Sequence, residues 1–235
     1  LVISSGYLIL FGNKKMKSRL YWELLDYGTF VEDEGGYYAG KIYNPDDLKT
    51  YAIIVSPKSE GESKQQWATS PQPIGTTGSL YDGWKNTSLN NNSTYPAFQW
   101  ARSLTINGFS DWYVPSRDEL EICYRNLKPT TNPNYVYASR AAYFSGTYNG
   151  VDAQGNGDND YSVPNGAGYT STNPSQTSIA VFQSGGSECF DSRWYWTSTW
   201  FSSSGAWSQY FSYGVQTGYA QTYSYYVRCV RRVAI

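Results

Sequence analysis

The sequence predicts an α+β fold with antiparallel sheets, two to three helices and long loops. Strand-like segments rich in aromatic and β-branched residues stand near both ends of the chain. Helical periodicity is confined to the middle, and the resulting order of strands, helices and strands is not that of a βαβ array. The length of 235 residues suits one domain, or one domain with a short appendage.

The elements follow in order. Residues 1–28 read as an N-terminal appendage. It comprises an apolar patch at 7–11, a basic turn with Lys14, Lys15 and Lys17, and a second apolar piece at 20–25. That piece is expected to be a short helix docking on a neighbour or on the main domain, which spans 29–235. Residues 37–43 and 51–55 are strands separated by the turn Asn44-Pro45-Asp46-Asp47. A first helix opens near Thr94, with Pro96 close to its first position. It carries Ala97, Trp100, Ala101 and Leu104 at helical spacing and ends at Asn107-Gly108.

Ser116-Arg117-Asp118-Glu119 matches a capping box, in which the Ser hydroxyl and the Glu carboxylate satisfy each other's free amides. Leu120, Cys123 and Leu127 form one face of the helix it starts, and Pro129 stops it. Asp118 and Glu121 are read as the charged start and solvent face of that helix. A third helix is expected over 175–183, opened by Asn173-Pro174 and closed by Gly185-Gly186. The polar stretch 130–171 is long for a connection in a compact domain, as functional or mobile loops are. Residues 194–200, 206–212 and 225–233 are the closing strands.

Composition excludes much chemistry. With 18 Lys and Arg against 19 Asp and Glu, the net charge is −1, so there is no basic excess to neutralise phosphates and no nucleic-acid partner is expected. Zero His rules out Ser-His-Asp and Cys-His pairs, a His-ligated zinc and a His general base. Cys123, Cys189 and Cys229 lie far apart and make no CxxC site. At most one bridge could form, and buried free thiols are the expectation. The 7–11 run is far short of the roughly 20 residues a bilayer requires, and the lysines follow it instead of preceding it as in a signal peptide. No Walker loop, GxSxG elbow or Rossmann fingerprint occurs. Asn86-Thr87-Ser88 is a glycosylation sequon only in a secreted eukaryotic setting. Asp152, Asn156 and Asp158 sit at alternate positions of an incomplete calcium loop with Gly157 sixth, but Val163 holds the twelfth position where a bidentate Glu belongs. A Gly-rich tip is the plainer reading, no cofactor is expected, and calcium is the one ion left open.

The stretch 194–227 contains no Asp, Glu, Lys or Arg and consists mainly of Tyr, Trp, Phe, Ser, Thr, Gly and Gln. Large amphipathic rings among small hydroxyls are the composition of a paratope: broad contact area at low entropic cost, with adaptable hydrogen bonds. Trp196, Trp207 and Phe211 are expected to fill the core. For Phe201, Tyr210, Tyr213, Tyr219 and Tyr223, beside Ser/Gly turns, display and packing both stay open. In the last strand Val227 and Cys229 share a face, which makes Cys229 a buried small hydrophobe; Arg228 and Arg232 point the other way, toward carboxylates.

Four motifs occur in a familiar order: Gly35-Gly36-Tyr37-Tyr38-Ala39-Gly40, Ser110-Asp111-Trp112-Tyr113-Val114-Pro115-Ser116-Arg117-Asp118-Glu119-Leu120, Tyr195-Trp196-Thr197-Ser198-Thr199 and Tyr226-Val227-Arg228-Cys229-Val230-Arg231. The set resembles the Lcl-type C-terminal domain, a branch of the C-type lectin fold found in phage tail-tip and bacterial surface proteins, over residues 29–235. Related proteins include the variable targets of diversity-generating retroelements, in which an adenine-directed cassette rewrites surface codons near the C-terminus. By that resemblance Phe201, Ser203, Ser204, Ser208, Tyr210, Ser212, Tyr213, Thr217, Tyr219 and Tyr223 are the displayed, ligand-binding positions. The resemblance further implies a non-enzymatic receptor-binding protein on a virion tail tip or cell surface. Its partner would be a host-surface protein or glycan, without membrane insertion, and a homotrimer contact would fall in residues 1–28. The Glu-Pro-Asn and Trp-Asn-Asp tripeptides of mannose-type lectins are absent, so calcium-dependent sugar binding is not implied. Two alternatives stand beside it: a structural virion or adhesin protein without a variable site, and a formylglycine-generating-type oxidase using Cys189 or Cys229, neither of which has a basic neighbour in sequence.

Overall fold

The computed structural model describes residues 19–73, 78–135 and 157–235, together with two short strand pairs. These pairs are Ile3–Ser4 (β1) with Tyr7–Leu8 (β2), and Thr147–Tyr148 (β7) with Val151–Asp152 (β8). Among the described residues the architecture is mixed α+β, with five helices and two principal sheets. Phe30–Val31 (β3), Gly36–Asn44 (β4), Lys49–Val55 (β5) and Val230–Ala234 (β13) form an antiparallel sheet in the order β13-β5-β4-β3. Glu62–Gln66 (β6), Trp194–Ser202 (β9), Gly205–Tyr210 (β10), Gln216–Ala220 (β11) and Ser224–Arg228 (β12) form the other, in the order β11-β10-β9-β12-β6. Its neighbours are antiparallel except β12 and β9, which run parallel and meet at Tyr226 and Tyr195.

The single strand predicted at 225–233 is two strands in two sheets. Cys229 is the crossing point: its amide donates to the Gly61 carbonyl at 2.8 Å and its carbonyl accepts from the Ser56 amide at 3.0 Å. Alternation predicts strand character on either side of Cys229, but only a partner can say which sheet each half joins. β6 and β11 give no strand signal in the sequence, because both are polar or Gly-containing edge strands with no apolar alternation.

Arg19–Leu24 (α1) is the short helix expected in the N-terminal segment. Trp22 is buried in the main core and its carbonyl accepts from the Tyr38 hydroxyl at 3.1 Å, so this part docks on its own domain. Lys58–Gly61 (α2) is a single turn. Gly83–Leu89 (α3), absent from the sequence reading, has no apolar period and starts where the Asp82 carboxylate accepts from the Lys85 amide at 2.8 Å. Pro96–Ser103 (α4) buries Ala97, Phe98 and Ala101. Arg117–Leu127 (α5) begins with the expected capping box: Glu119 N–H donates to Ser116 Oγ at 3.4 Å and Ser116 N–H to Glu119 Oε2 at 2.7 Å. Ser116→Ala should therefore cost about 1 kcal/mol, read as a shift in the urea midpoint at unchanged slope.

Two further expectations are corrected. The third helix at 175–183 shrinks to the 3-10 turn Ala180–Phe182. The segment before it gives its hydrogen bonds to another strip of chain: Thr177 N–H donates to the Lys128 carbonyl at 3.0 Å and Gln176 Nε2 to the Pro129 carbonyl at 2.7 Å. Asp118 and Glu121 do not face solvent; both are buried, as is Glu119. Asp118 Oδ1 accepts from Arg117 Nε at 2.7 Å. Glu121 accepts from Asn159 Nδ2 at 2.7 Å and the Tyr169 hydroxyl at 2.9 Å, with Arg125 Nε at 2.9 Å. Layers cover both sides of α5, and its acids stay inside because each has a donor.

Candidate functional site

Register and alternation build an aromatic surface on one face of the five-stranded sheet. Tyr210 pairs with Trp194, Ser208 with Trp196 and Thr217, and Ala206 with Tyr219 and, across a bulge, Trp200. Residues directly opposite share a face, so these side chains form one array. Its inner half, with Trp196, Trp200 and Ala206, is buried in the core cluster that contains Trp67 and Phe98.

The outer half continues past that cover. Trp194 lies 5.0 Å from Tyr210, 4.7 Å from Tyr219 and 6.2 Å from Tyr225 between ring centroids. Tyr213 extends the row from Tyr210 at 4.8 Å, and Tyr223 lies 6.1 Å from Tyr225 and 6.4 Å from Tyr219. Tyr213 and Tyr223 are 40% and 52% exposed, and Trp194, Tyr210, Tyr219 and Tyr225 are half-buried. Edge-to-face and tilted contacts between these rings restrict their motion, which lowers the entropy a ligand must overcome. Burial, then the neighbouring phenols Tyr219 and Tyr223, pushes Tyr225 up to about 12, and burial followed by Tyr223 raises Tyr219. Both stay protonated at neutral pH and present neutral hydroxyls that donate and accept.

The predicted display set divides. Tyr210, Tyr213, Tyr219 and Tyr223 come together, with Thr217 half-buried beside them. Ser203 and Ser204 are exposed at the β9–β10 turn. Phe201 is half-buried on the opposite face, 4.9 Å from Trp207, where its ring covers Gly218; a Cβ there would lie 2.0 Å from Phe201. Ser208 and Ser212 are interior, which removes them from the surface. Ser208 Oγ donates to the Thr217 carbonyl at 3.0 Å, while Asn132 Nδ2 donates to Ser212 Oγ at 2.9 Å. A small hydroxyl fits beneath the large rings and satisfies a local backbone or amide partner there. Trp194 and Tyr225 also belong to the surface, and the sequence signal for them is their two-residue offset from Trp196 and Val227, which places them on the same face.

Trp196, Trp207 and Phe211 are core residues as expected. Arg228 meets Glu188 at 2.7 Å and Glu62 at 3.3 Å, and Arg232 meets Asp82 at 2.9 Å, which is the pairing read from the strand. Arg231 adds Glu34 at 2.6 Å and Asp111 at 2.8 Å.

All three cysteines are free and buried. Burial pushes the Cys229 and Cys123 thiols up, which keeps them protonated and unreactive. Cys189 does have a cation in space that the sequence could not place: Lys58 Nζ lies 3.9 Å from its sulfur. That ammonium is committed to the Cys189 carbonyl and to Asp191, each at 2.7 Å. Burial pulls Lys58 down, but the bond to Asp191 and the charge of Glu62 outweigh it and leave it raised, a fixed cation. Of the calcium candidates, Asn156 and the Asp152 side chain lie outside the described residues, leaving Asp158. Among the described residues no group of three or more His, Cys, Asp or Glu could hold a metal ion, and no helix is long and apolar enough to cross a membrane.

No protein-family model, no curated protein and no solved structure matches this chain.

Proposed function

We propose that this chain is a non-enzymatic receptor-binding module of C-type lectin-like architecture. In this reading it presents the aromatic surface of β9–β12 to a protein or glycan on a host cell, as the variable protein of a diversity-generating retroelement in a virus. The observation that carries the reading is the continuous row Tyr213, Tyr210, Trp194, Tyr219, Tyr225 and Tyr223, open at both ends and set in a stretch without a charged residue.

The mechanism is non-covalent. Rings held on paired strands bury against the target, and their phenolic hydroxyls take up its donors and acceptors. Absence of charge in the stretch spares the complex the cost of desolvating ions, so recognition rests on shape and neutral hydrogen bonds. Ser203 and Ser204 at the adjacent turn are exposed, so side-chain changes there would leave the core untouched, as a variable position requires. A tail-tip or cell-surface location follows from this reading. Leu20 and Leu24, 58% and 67% exposed at i and i+4, support a homotrimer contact in this N-terminal segment.

Tyr213→Ala with Tyr223→Ala removes the two exposed rings and should change stability by less than about 1 kcal/mol. Adsorption to the natural target should fall about tenfold or more, the effect of truncating a hot-spot ring. Unchanged adsorption by the folded double variant rejects the surface. For the retroelement assignment, the encoding DNA should carry a template repeat beside a reverse transcriptase, differing mostly at adenines in the codons for 201–223.

A further inference from the structure

We propose that Lys128 and Asn134 react with each other inside the folded chain, joining Nζ to Cγ in an intramolecular amide with loss of ammonia. This modification site does not rest on the receptor-binding reading. It lies where the end of α5 meets the strip 170–174.

Both residues are interior, Lys128 at 2% and Asn134 at 4% exposure. Lys128 Nζ donates to Asn134 Oδ1 at 2.7 Å, to the Asn132 carbonyl at 2.6 Å and to the Pro174 carbonyl at 3.2 Å. All three acceptors are neutral, and among the described residues no carboxylate pairs with this ammonium. A buried charge without a counter-ion is costly. Burial accordingly pulls Lys128 down, toward the neutral amine that is the nucleophile.

The side-chain amide of Asn134 is fixed as the electrophile. Its Nδ2 donates to the Thr170 and Pro174 carbonyls, each at 2.9 Å. Its Oδ1 accepts from Lys128 and, also at 2.7 Å, from the buried Tyr124 hydroxyl, so all four of its hydrogen-bonding positions are filled. Tyr124 thereby polarises the carbonyl and meets the oxygen on which charge develops as Nζ adds. Burial, then the charge of Glu121, pushes that hydroxyl up and keeps it a donor. Cγ stands one bond, about 1.2 Å, from the oxygen that Nζ already touches. The Pro174 carbonyl accepts from both nitrogens, so the entering and leaving groups are neighbours before reaction.

Atoms and charge balance without an oxidant or cofactor. Nζ bonds to Cγ, the Cγ–Nδ2 bond breaks, and the two protons that the lysine ammonium gives up leave with Nδ2 as ammonium ion. The reaction exchanges an unpaired interior charge for a neutral amide and sends the charge into water, which drives it forward. Tyr135, the next residue, donates its amide to the Tyr213 carbonyl at 2.8 Å, so the crosslink braces one end of the aromatic row.

The test is intact-mass spectrometry of the folded full chain after prolonged incubation at slightly alkaline pH. The mass should fall below that of the sequence by about 17 Da, one ammonia. Tandem spectra should place the loss between residues 128 and 134, and in denaturant Lys128 should resist an acetylating reagent that marks the other lysines. Lys128→Arg and Asn134→Ala should each keep their full sequence mass, and Tyr124→Phe should leave a larger unreacted fraction. An unaltered mass of the folded chain, a loss mapped to another asparagine, or a Lys128 that acetylates fully overturns the proposal. Complete conversion in a folded Tyr124→Phe variant overturns the role given to Tyr124.

Discussion

Arg228→Leu is expected to destabilise the fold by about 3–5 kcal/mol, the cost of leaving buried charge without its partner. Arg228 is fully buried at the end of β12. Its Nε donates to the Ser56 carbonyl at 2.8 Å just past β5, Nη2 to Glu188 at 2.7 Å and Nη1 to Glu62 at 3.3 Å. One guanidinium thus ties the five-stranded sheet to the four-stranded one and to the approach to β9. Burial pushes the Glu62 carboxyl up, while the charges of Arg228 and Lys58 oppose this. Without the arginine, Glu62 and Glu188 lose the guanidinium that holds them inside the fold. Total stability of a domain this size is about 5–15 kcal/mol, so the variant should unfold at much lower urea or fail to accumulate. Adding Glu62→Gln and Glu188→Gln to Arg228→Leu should recover part of the loss. A loss under about 1 kcal/mol would show that the network is incidental.

Stability should also fall as pH rises from about 4.5 to about 7. Burial pushes Glu119 up from its ordinary 4.5 to about 7, against the opposing hydrogen bond from the Ser116 amide and the charge of Arg232; Asp82 adds to the rise, and the Tyr113 hydroxyl, donating at 2.8 Å, opposes it. The folded state therefore holds a proton that the unfolded chain releases. The contribution is fully present below the unfolded value near 4.5 and is lost as pH passes through about 7. At about 1.4 kcal/mol per pH unit, the change is about 3 kcal/mol. Asp118 and Glu121, raised chiefly by burial against the pull of Arg117 and Arg125, act in the same direction. Urea unfolding at pH 5 and pH 8 measures the slope. Glu119→Gln keeps a capping-box acceptor and should flatten it; an equal slope in that variant would assign the effect to other groups.

Much of this architecture was readable locally. The capping box at Ser116 and Glu119, the strands around the Asn44–Asp47 turn, and the burial of Trp196, Trp207 and Phe211 depend on neighbours within a few positions, or on alternation along one strand. So does the aromatic, uncharged character of 194–227. The acids of α5 look like a solvent face for the same reason: Glu121 takes its donors Asn159 and Tyr169 from about 40 and 50 positions away, and although Asp118 pairs with its neighbour Arg117, nothing local shows that the pair is buried. Residues 175–183 look like a helix until Lys128 and Asn134 claim the strip.

The chain by itself determined a mixed α+β fold, excluded histidine chemistry, and placed a ring-rich, charge-free segment near its C-terminal end. Those properties follow from composition and short-range spacing, which survive without a partner. Only the tertiary structure decided which of those rings emerge, that Ser208 and Ser212 sink beneath them, and that the last strand changes sheets at Cys229. Exposure and pairing belong to two surfaces at once, and a one-dimensional pattern specifies only one of them.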